Sequence, residues 1–232
     1  MRYAVLGTGI VGRTIAGKLS SLGHEVVIGT RDPEVTLVRT DPDPMGNPPF
    51  AVWHADHGDV RLLTFAEAAG SGDTVLNATA GTVTLAALEA AGAANLTGKV
   101  VIDVANALDF SQGTPPLLNP VNTDSLGEQV QRAFPDAKVV KTLNTMNCFV
   151  MVDPARVPGE HTVFVCGDDA DAKEAVTELL TSFGWPESSV IDLGDISAAR
   201  GTEMLLPVWL RLLGVLGHAD FNFHIQVART ST

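Results

Sequence analysis

The residues with the clearest chemistry form a glycine-rich segment near the start of the chain. The six residues are Gly7, Thr8, Gly9, Ile10, Val11 and Gly12. In the spacing G-x-G-x-x-G the first glycine allows a tight turn, the second lets a pyrophosphate approach the backbone, and the third lets a helix pack closely on a strand. The segment follows an apolar run and precedes apolar residues at helical spacing, so it predicts a dinucleotide-binding turn. A glycine turn that binds nothing is the alternative.

The end of the second predicted strand distinguishes between the two nicotinamide dinucleotides. A site for NAD places Asp or Glu there to accept hydrogen bonds from the ribose 2'-hydroxyl, whereas this chain has Thr30 and Arg31. A hydroxyl and a guanidinium would bind a 2'-phosphate through charge-assisted hydrogen bonds, which favours NADP(H). Asp32 is the counter-evidence. If the Asp32 carboxylate faced the ribose, the site would prefer NAD(H). Alternatively, Asp32 neutralises Arg31 or caps the next helix.

Two further strand ends carry small or amide side chains. After the fourth predicted strand come Ala78, Thr79 and Ala80, whose small size would let the inner half of the cofactor lie close to the backbone. Thr79 as a simple helix cap is an equal alternative. Asn106 follows the next predicted strand, where it would reach the nicotinamide side of the site.

The segment after the sixth predicted strand is the candidate surface for a second substrate. Asn144 offers neutral hydrogen bonding, and Met146 offers an adaptable apolar surface that suits a planar ring better than a small hydroxy acid. Lys141 and Asn144 could handle a proton together, but residues i and i+3 of a strand face opposite sides, which argues against that pair.

Other kinds of catalytic site have little support. Dehydrogenases of alcohols place a His, Lys or Tyr at the hydroxyl proton, and the sole tyrosine, Tyr3, lies in the first predicted strand. His54 and His57 lack the third and fourth ligands that a zinc site needs. We therefore predict no catalytic acid or base and no metal.

The elements that must position these residues alternate between strand and helix. Strands are predicted at residues 3–6, 25–28, 60–64, 74–78, 100–104, 139–143, 162–166 and 190–193, with helical apolar spacing between several of them. This alternation predicts a doubly wound α/β fold with a mainly parallel sheet. We expect a dinucleotide-binding domain over residues 1–193 and a helical C-terminal segment over 194–232 that completes the site.

Three segments interrupt the alternation. Residues 40–58 contain four prolines and are predicted to be an irregular surface excursion without helix, and residues 106–123 are predicted to be a second long loop. Residues 204–216 are predicted to be a helix kinked at Pro207. Because this helix is apolar on every side, the sheet or another subunit must cover it.

Composition limits the class of protein and its partners. The chain has 232 residues, 45% hydrophobic and 18% charged, which is enough for a globular core. Its net charge of −12 excludes a general nucleic-acid binder, although residues 1–40 sum to +2. Two cysteines without paired spacing indicate a reducing compartment. The longest apolar stretch is shorter than the ~20 residues that span a bilayer, so we expect a cytoplasmic protein without a membrane partner.

Five segments carry a resemblance to a known family. They are GTGIVGRTIAGKLSSLGHEVVIGTRDP, DVAN, VVKTLNTMN, VCGDDADAKEAVTELLTSFGW and DLGDISAARGTEMLLPVWLRLLG. In these the chain resembles the NADPH-dependent reductases of the deazaflavin coenzyme F420 and their predicted dinucleotide-binding relatives. The resemblance implies a Rossmann-type homodimer that passes hydride between NADP(H) and the deazaflavin. Such a transfer between stacked rings depends on proximity and orientation, so it needs no acid or base.

The resemblance also implies site residues. The pyrophosphate would lie at residues 8–11, the 2'-phosphate at Thr30 and Arg31, the inner half of the cofactor at residues 78–80, and the deazaflavin near Asn144, Met146 and Phe221. Asn144 and Asn147 depart from the histidine and proline that are typical there. The alternatives are an NADP-dependent hydroxyacid or imine reductase, which usually adds a large helical domain, and a non-catalytic NADP(H)-sensing protein.

Overall fold

The computed structural model describes residues 1–43 and 46–228. The strands within these residues are β1 (Arg2–Leu6), β2 (Glu25–Thr30), β3 (Arg61–Thr64), β4 (Thr74–Asn77), β5 (Val100–Asp103), β6 (Leu108–Asp109), β7 (Leu117–Leu118), β8 (Lys138–Thr142), β9 (Val163–Cys166) and β10 (Val190–Asp192). The helices are α1 (Ile10–Ser21), α2 (Pro33–Val38), α3 (Phe50–Ala55), α4 (Phe65–Ser71), α5 (Thr84–Ala91), α6 (Ala93–Leu96), α7 (Leu126–Ala133), α8 (Cys148–Val152), α9 (Ala170–Phe183), α10 (Ala199–Met204) and α11 (Leu206–Leu216). Every helix in this part of the chain is too short or too polar to cross a bilayer.

One eight-stranded sheet organises the chain in the order β10-β9-β8-β5-β4-β1-β2-β3. Six neighbouring strands are parallel and follow the 3-2-1-4-5-6 order of dinucleotide-binding folds, in the spatial order β3-β2-β1-β4-β5-β8. The predicted α/β fold is therefore confirmed, and all eight predicted strands belong to this sheet. The carboxyl ends of β1, β2, β4, β5 and β8 lie at one edge, which is where the candidate residues meet.

The last two strands reverse direction. β9 is antiparallel to β8, with Lys141 opposite Cys166, and β10 is parallel to β9. Apolar patterning does not encode strand direction, so the sequence did not predict this reversal. Its consequence is that the start of β9, and the segment that leads into it, lie at the same edge as the carboxyl end of β8.

Two hydrophobic layers cover the sheet because the strands alternate their side chains between its faces. Val5 and Ile28 pack with helices α1, α8 and α9 on one face. Leu6 and Val27 pack with α4, α5 and α7 on the other. The parallel strands are apolar throughout because both of their faces are buried.

The two proline-rich segments are more ordered than expected. Helix α3 forms within residues 40–58, directly after Pro49, so the prediction that this segment excludes helix is wrong. The prolines precede the helix, where a missing N–H costs nothing, and Phe50 anchors the helix to the core. Residues 106–123 contain the short antiparallel hairpin of β6 and β7 rather than an unbroken loop.

The helical C-terminal segment is interrupted near Pro207, as predicted, but its packing differs from the prediction. Helices α10 and α11 meet at Leu205, and Pro207 lies in the first turn of α11. Within α11 only Leu206 is buried, while Val208 and Val215 are 50% and 83% exposed. The sheet therefore does not cover the exposed side chains of α11. The tail then returns to the start of β9, where Thr162 N–H donates to Phe223 O.

Candidate functional site

Two of the three glycines in the turn are required for steric reasons. Gly7 adopts φ +117°, and a Cβ there would lie 2.6 Å from the Ala78 carbonyl oxygen. A Cβ on Gly12 would lie 2.2 Å from the carbonyl oxygen of Gly7, so only glycine lets α1 approach β1 this closely. Gly9 faces open space and caps α1 without a side-chain hydrogen bond. The first N–H groups of α1 thus remain available to a pyrophosphate, beside the half-buried Thr8, Ile10 and Val11.

At the end of β2, the side chains of Thr30 and Arg31 have different surroundings. Thr30 is buried, and its hydroxyl lies 2.9 Å from that of Thr36. Because the Thr36 hydroxyl donates to Asp32 O, Thr30 donates its own proton to Thr36. Thr30 therefore links β2 to α2, and its contact with a 2'-phosphate stays a prediction. Arg31 is exposed and makes no hydrogen bond or ion pair with the residues that the structure describes.

Asp32 caps the next helix, which is one of the three roles that the sequence left open for it. Its Oδ1 accepts a hydrogen bond of 3.0 Å from Val35 N–H and caps α2. This capping fixes the carboxylate at the helix N-terminus, where the helix dipole stabilises its charge. In the part of the chain that the structure describes, no carboxylate forms an ion pair with Arg31.

The ends of β4 and β5 are joined by buried polar contacts. Asn77 donates to Asp103 Oδ1 at 2.7 Å and accepts the Thr79 hydroxyl at 2.6 Å, so the Thr79 side chain is held inward. Ala78 is half-buried and Ala80 is exposed. Sequence reasoning missed Gly81, at which a Cβ would lie 2.1 Å from Asn106 O. Its position at the end of the run of small residues was the available signal.

Asn106 and Asn144, 38 residues apart in sequence, form a reciprocal pair. Asn106 Nδ2 donates to Asn144 O at 2.8 Å, and Asn144 Nδ2 donates to Asn106 Oδ1 at 3.0 Å. Leu143 precedes the pair at φ +62°, a left-handed conformation that is rare for leucine and costs about 1–3 kcal/mol. Such strain persists where the surroundings determine it, and here it directs Asn144 towards Asn106.

A fully buried lysine lies beneath this pair, and sequence reasoning missed its carboxylate partners. Lys141 Nζ lies 2.8 Å from both Asp103 Oδ2 and Glu203 Oε1, and it also donates to Ala105 O. Burial disfavours the ammonium, but the two carboxylates outweigh burial and raise the pKa of Lys141. The lysine is thus charged and paired with carboxylates rather than with Asn144. Opposite charges in two buried neighbouring strands were the signal that could have found it.

Glu203 extends the same network to the C-terminal segment. Its Oε2 and Oε1 accept hydrogen bonds from Leu126 and Gly127 N–H at 3.0 and 3.1 Å, at the start of α7. Helix α10 is therefore tied to β5, β8 and α7 through a single carboxylate. This anchoring places the C-terminal segment against the edge of the sheet where the candidate residues lie.

Two residues predicted to contact the second substrate pack against neighbouring side chains, and their contact with it stays a prediction. Met146 is 6% exposed and packs in the core with Cys148 and Val150, so it presents no free surface. Phe221 stacks on Trp209 of α11, with ring centroids 5.3 Å apart. Aromatic and thioether side chains fill core space as readily as they bind ligands, so sequence alone did not separate the two uses.

The remaining reactive side chains have structural partners. His54 Nε2 contacts Val60 O at 2.9 Å and His57 Nδ1 contacts Trp53 O at 2.8 Å. Within residues 1–43 and 46–228 no group of three His, Cys, Asp or Glu side chains could hold a metal. Burial raises the pKa of Cys166 to about 12, so this thiol stays protonated near neutral pH.

Comparisons with known proteins agree with this geometry. The family model described as NADP oxidoreductase, coenzyme F420-dependent, matches residues 2–107, which include the glycine turn and Asn106. A solved structure of a candidate F420-dependent NADP reductase from Arthrobacter sp. FB24 is 61% identical, covers 97% of this chain and 99% of its own, and superposes with a TM-score of 0.93. The chain belongs to the family of coenzyme F420-dependent NADP oxidoreductases. The resemblance found in the sequence is thereby confirmed.

More distant members and neighbours show how far this fold extends. The F420-dependent NADP reductase of Methanocaldococcus jannaschii is 26% identical over 91% of this chain and 92% of its own length. Metalloreductase STEAP3 of Rattus norvegicus is 27% identical over 90% of this chain, which spans 38% of that protein. A reductive aminase from Aspergillus terreus, solved with NADPH, shares the fold at a TM-score of 0.60 and 15% identity.

The unpaired Arg31 predicts the cofactor preference. Replacing Arg31 with alanine should weaken NADPH binding by about 10- to 100-fold, the loss of one or two charge-assisted hydrogen bonds, while NADH binding changes little. Fluorescence titration of both cofactors measures the two ratios. Arg39→Ala, another exposed arginine after α2, is the matched control. Equal losses for both cofactors would show that Arg31 does not recognise the 2'-phosphate.

The buried lysine predicts a large loss of stability on substitution. Lys141→Met should lower the free energy of unfolding by about 3–5 kcal/mol, because two buried carboxylates lose their cation. Lys138→Met in the same strand, which breaks only the surface pair with Asp169, should lower it far less. Urea unfolding of both variants beside the wild-type protein measures the two losses; equal losses would contradict the prediction.

Proposed function

We propose that this protein transfers hydride between NADP(H) and a planar acceptor, the deazaflavin coenzyme F420. The observation that carries the proposal is the open N-terminus of α1 at Gly9, one strand away from the unpaired Arg31. Together they offer sites for a pyrophosphate and a 2'-phosphate. The family and its reductase members support the choice of acceptor.

The residues of this chain would bind and orient rather than exchange protons. NADP(H), when bound, supplies or accepts the hydride. The backbone of residues 8–11 would hold the pyrophosphate, Arg31 the 2'-phosphate, and the small residues 78–80 the inner half of the dinucleotide. The Asn106–Asn144 pair would present neutral amide groups beside the nicotinamide. Such an arrangement provides proximity and orientation, which are the main requirements of direct hydride transfer.

A homodimer is part of the proposal, with α11 at the subunit interface. The helix exposes Val208, Val215 and Leu216, and the tail beyond it exposes Ile225 and Val227. Exposed apolar side chains along one helix are typical of a protein–protein contact. The unpaired and buried Cys148 and Cys166 further support a reducing, cytoplasmic setting.

Absorbance tests the reaction directly. Purified protein mixed with NADPH and oxidised coenzyme F420 should oxidise NADPH and reduce the deazaflavin in equal amounts. A riboflavin derivative of similar shape serves as the control acceptor. If NADPH binds but no acceptor-dependent oxidation occurs, the proposal fails and a non-catalytic NADP(H)-sensing protein is favoured instead.

Sedimentation tests the dimer. The wild-type protein should sediment as a dimer at micromolar concentration, and Val215→Glu should shift it to monomer, because a charge in an apolar interface is costly to desolvate. Leu22→Glu, an exposed leucine at the far end of α1, should leave the dimer intact. A monomeric wild-type protein under these conditions would refute the interface.

A further inference from the structure

A cleft of about 440 Å³ lies between α1, α3 and α8. It begins at Ile10, the first residue of α1, and reaches Phe149, two residues after Asn147. The cleft therefore adjoins both the glycine turn and the segment assigned to the second substrate. None of the interactions described above uses this space.

Arg13 places an uncompensated positive charge in the wall of this cleft. The residue is 4% exposed, and its Nη1 donates to the Pro48 carbonyl oxygen at 2.8 Å. Its Nε is buried without a hydrogen-bond acceptor, and no carboxylate among the described residues lies within ion-pair distance. A buried guanidinium without an anionic partner is costly, and a carboxylate or phosphate is the group to which its N–H groups donate most strongly.

The other walls of the cleft are aromatic. The rings of Trp53 and His57 stack with centroids 4.0 Å apart and planes at 14°. Phe149 is 43% exposed, and the Arg156 guanidinium lies over its ring at 5.4 Å. Flat aromatic walls beside one cation suit a ligand that carries an acidic group on a linker.

The remaining charges around the cleft do not cancel Arg13. Asp56 is exposed at the end of α3, where solvent and salt screen its charge. Arg156 is neutralised by Asp220 at 2.9 Å. His57 holds its Nδ1 against Trp53 O. The buried cation therefore dominates the local potential, because charges interact more strongly away from water.

We propose that this cleft is a subsite for an acidic group carried on the side chain of the acceptor, and that Arg13 determines specificity for it. This inference rests on the proposed function, since it assigns part of the second substrate to the cleft. Phosphodiester and carboxylate groups share the required chemistry, because each offers two oxygens to one guanidinium.

Steady-state kinetics with two acceptors tests the subsite. Arg13→Met should raise the KM for intact coenzyme F420 by about 10- to 100-fold, the loss of a charge-assisted pair, with kcat changed less than about twofold. The KM for the same deazaflavin without its acidic side chain should stay unchanged, as should the affinity for NADPH. Arg13→Lys should restore part of the lost affinity. Arg61→Met, at the amino end of β3, is the control.

The outcomes separate the subsite from the reaction. Equal KM changes for both acceptors, or none for either, would overturn the subsite while leaving the reaction standing. If the protein oxidises no NADPH, titration with coenzyme F420 still reports binding through the fluorescence of Trp53, with Trp53→Phe as the blank. If coenzyme F420 binds in a way that depends on Arg13 but no NADPH is oxidised, the subsite is supported and the proposed reaction fails. Absence of both binding and turnover overturns the two together. Thermal unfolding of each variant identifies any loss caused by misfolding.

Discussion

The buried ion pair network at Lys141 is the constraint on which the site depends. A lysine with no exposed surface is held between Asp103 and Glu203, each at 2.8 Å, and these three groups come from β5, β8 and α10. Moving the lysine away would leave two buried carboxylates without a cation in a medium of low dielectric, so the three elements must keep their relative positions. The network thereby connects the C-terminal segment to the sheet at the edge where the candidate residues meet.

Several local features follow from that anchor. Lys141 also holds the Ala105 carbonyl, which precedes Asn106, and Asp103 holds Asn77, which in turn holds Thr79. The left-handed Leu143 then turns Asn144 towards Asn106. A site that binds two planar molecules without an acid or base depends on such positioning, because proximity and orientation provide most of its rate advantage.

The sequence predicted those parts of the fold that depend on residues close together in the chain. Gly7 and Gly12 had to be glycine for steric reasons, and every predicted strand of the main sheet was found, because a strand buried on both faces is apolar throughout. The direction of β9 was not predictable in this way, because an apolar run has the same pattern in either direction. Helix α3 was missed because prolines that precede a helix were taken as prolines within it.

The sequence by itself determined the glycine turn, the order of strands and helices, the family resemblance and the basic character of the β2 end. Tertiary structure decided which of the candidate side chains are free. Thr30 gives its proton to Thr36, Met146 enters the core, and Lys141 pairs with carboxylates 38 and 62 residues away, whereas Arg31 remains unpaired. The physical reason is that turns and periodicity depend on neighbouring residues, while the partner of a buried polar group is chosen by whatever distant element packs against it.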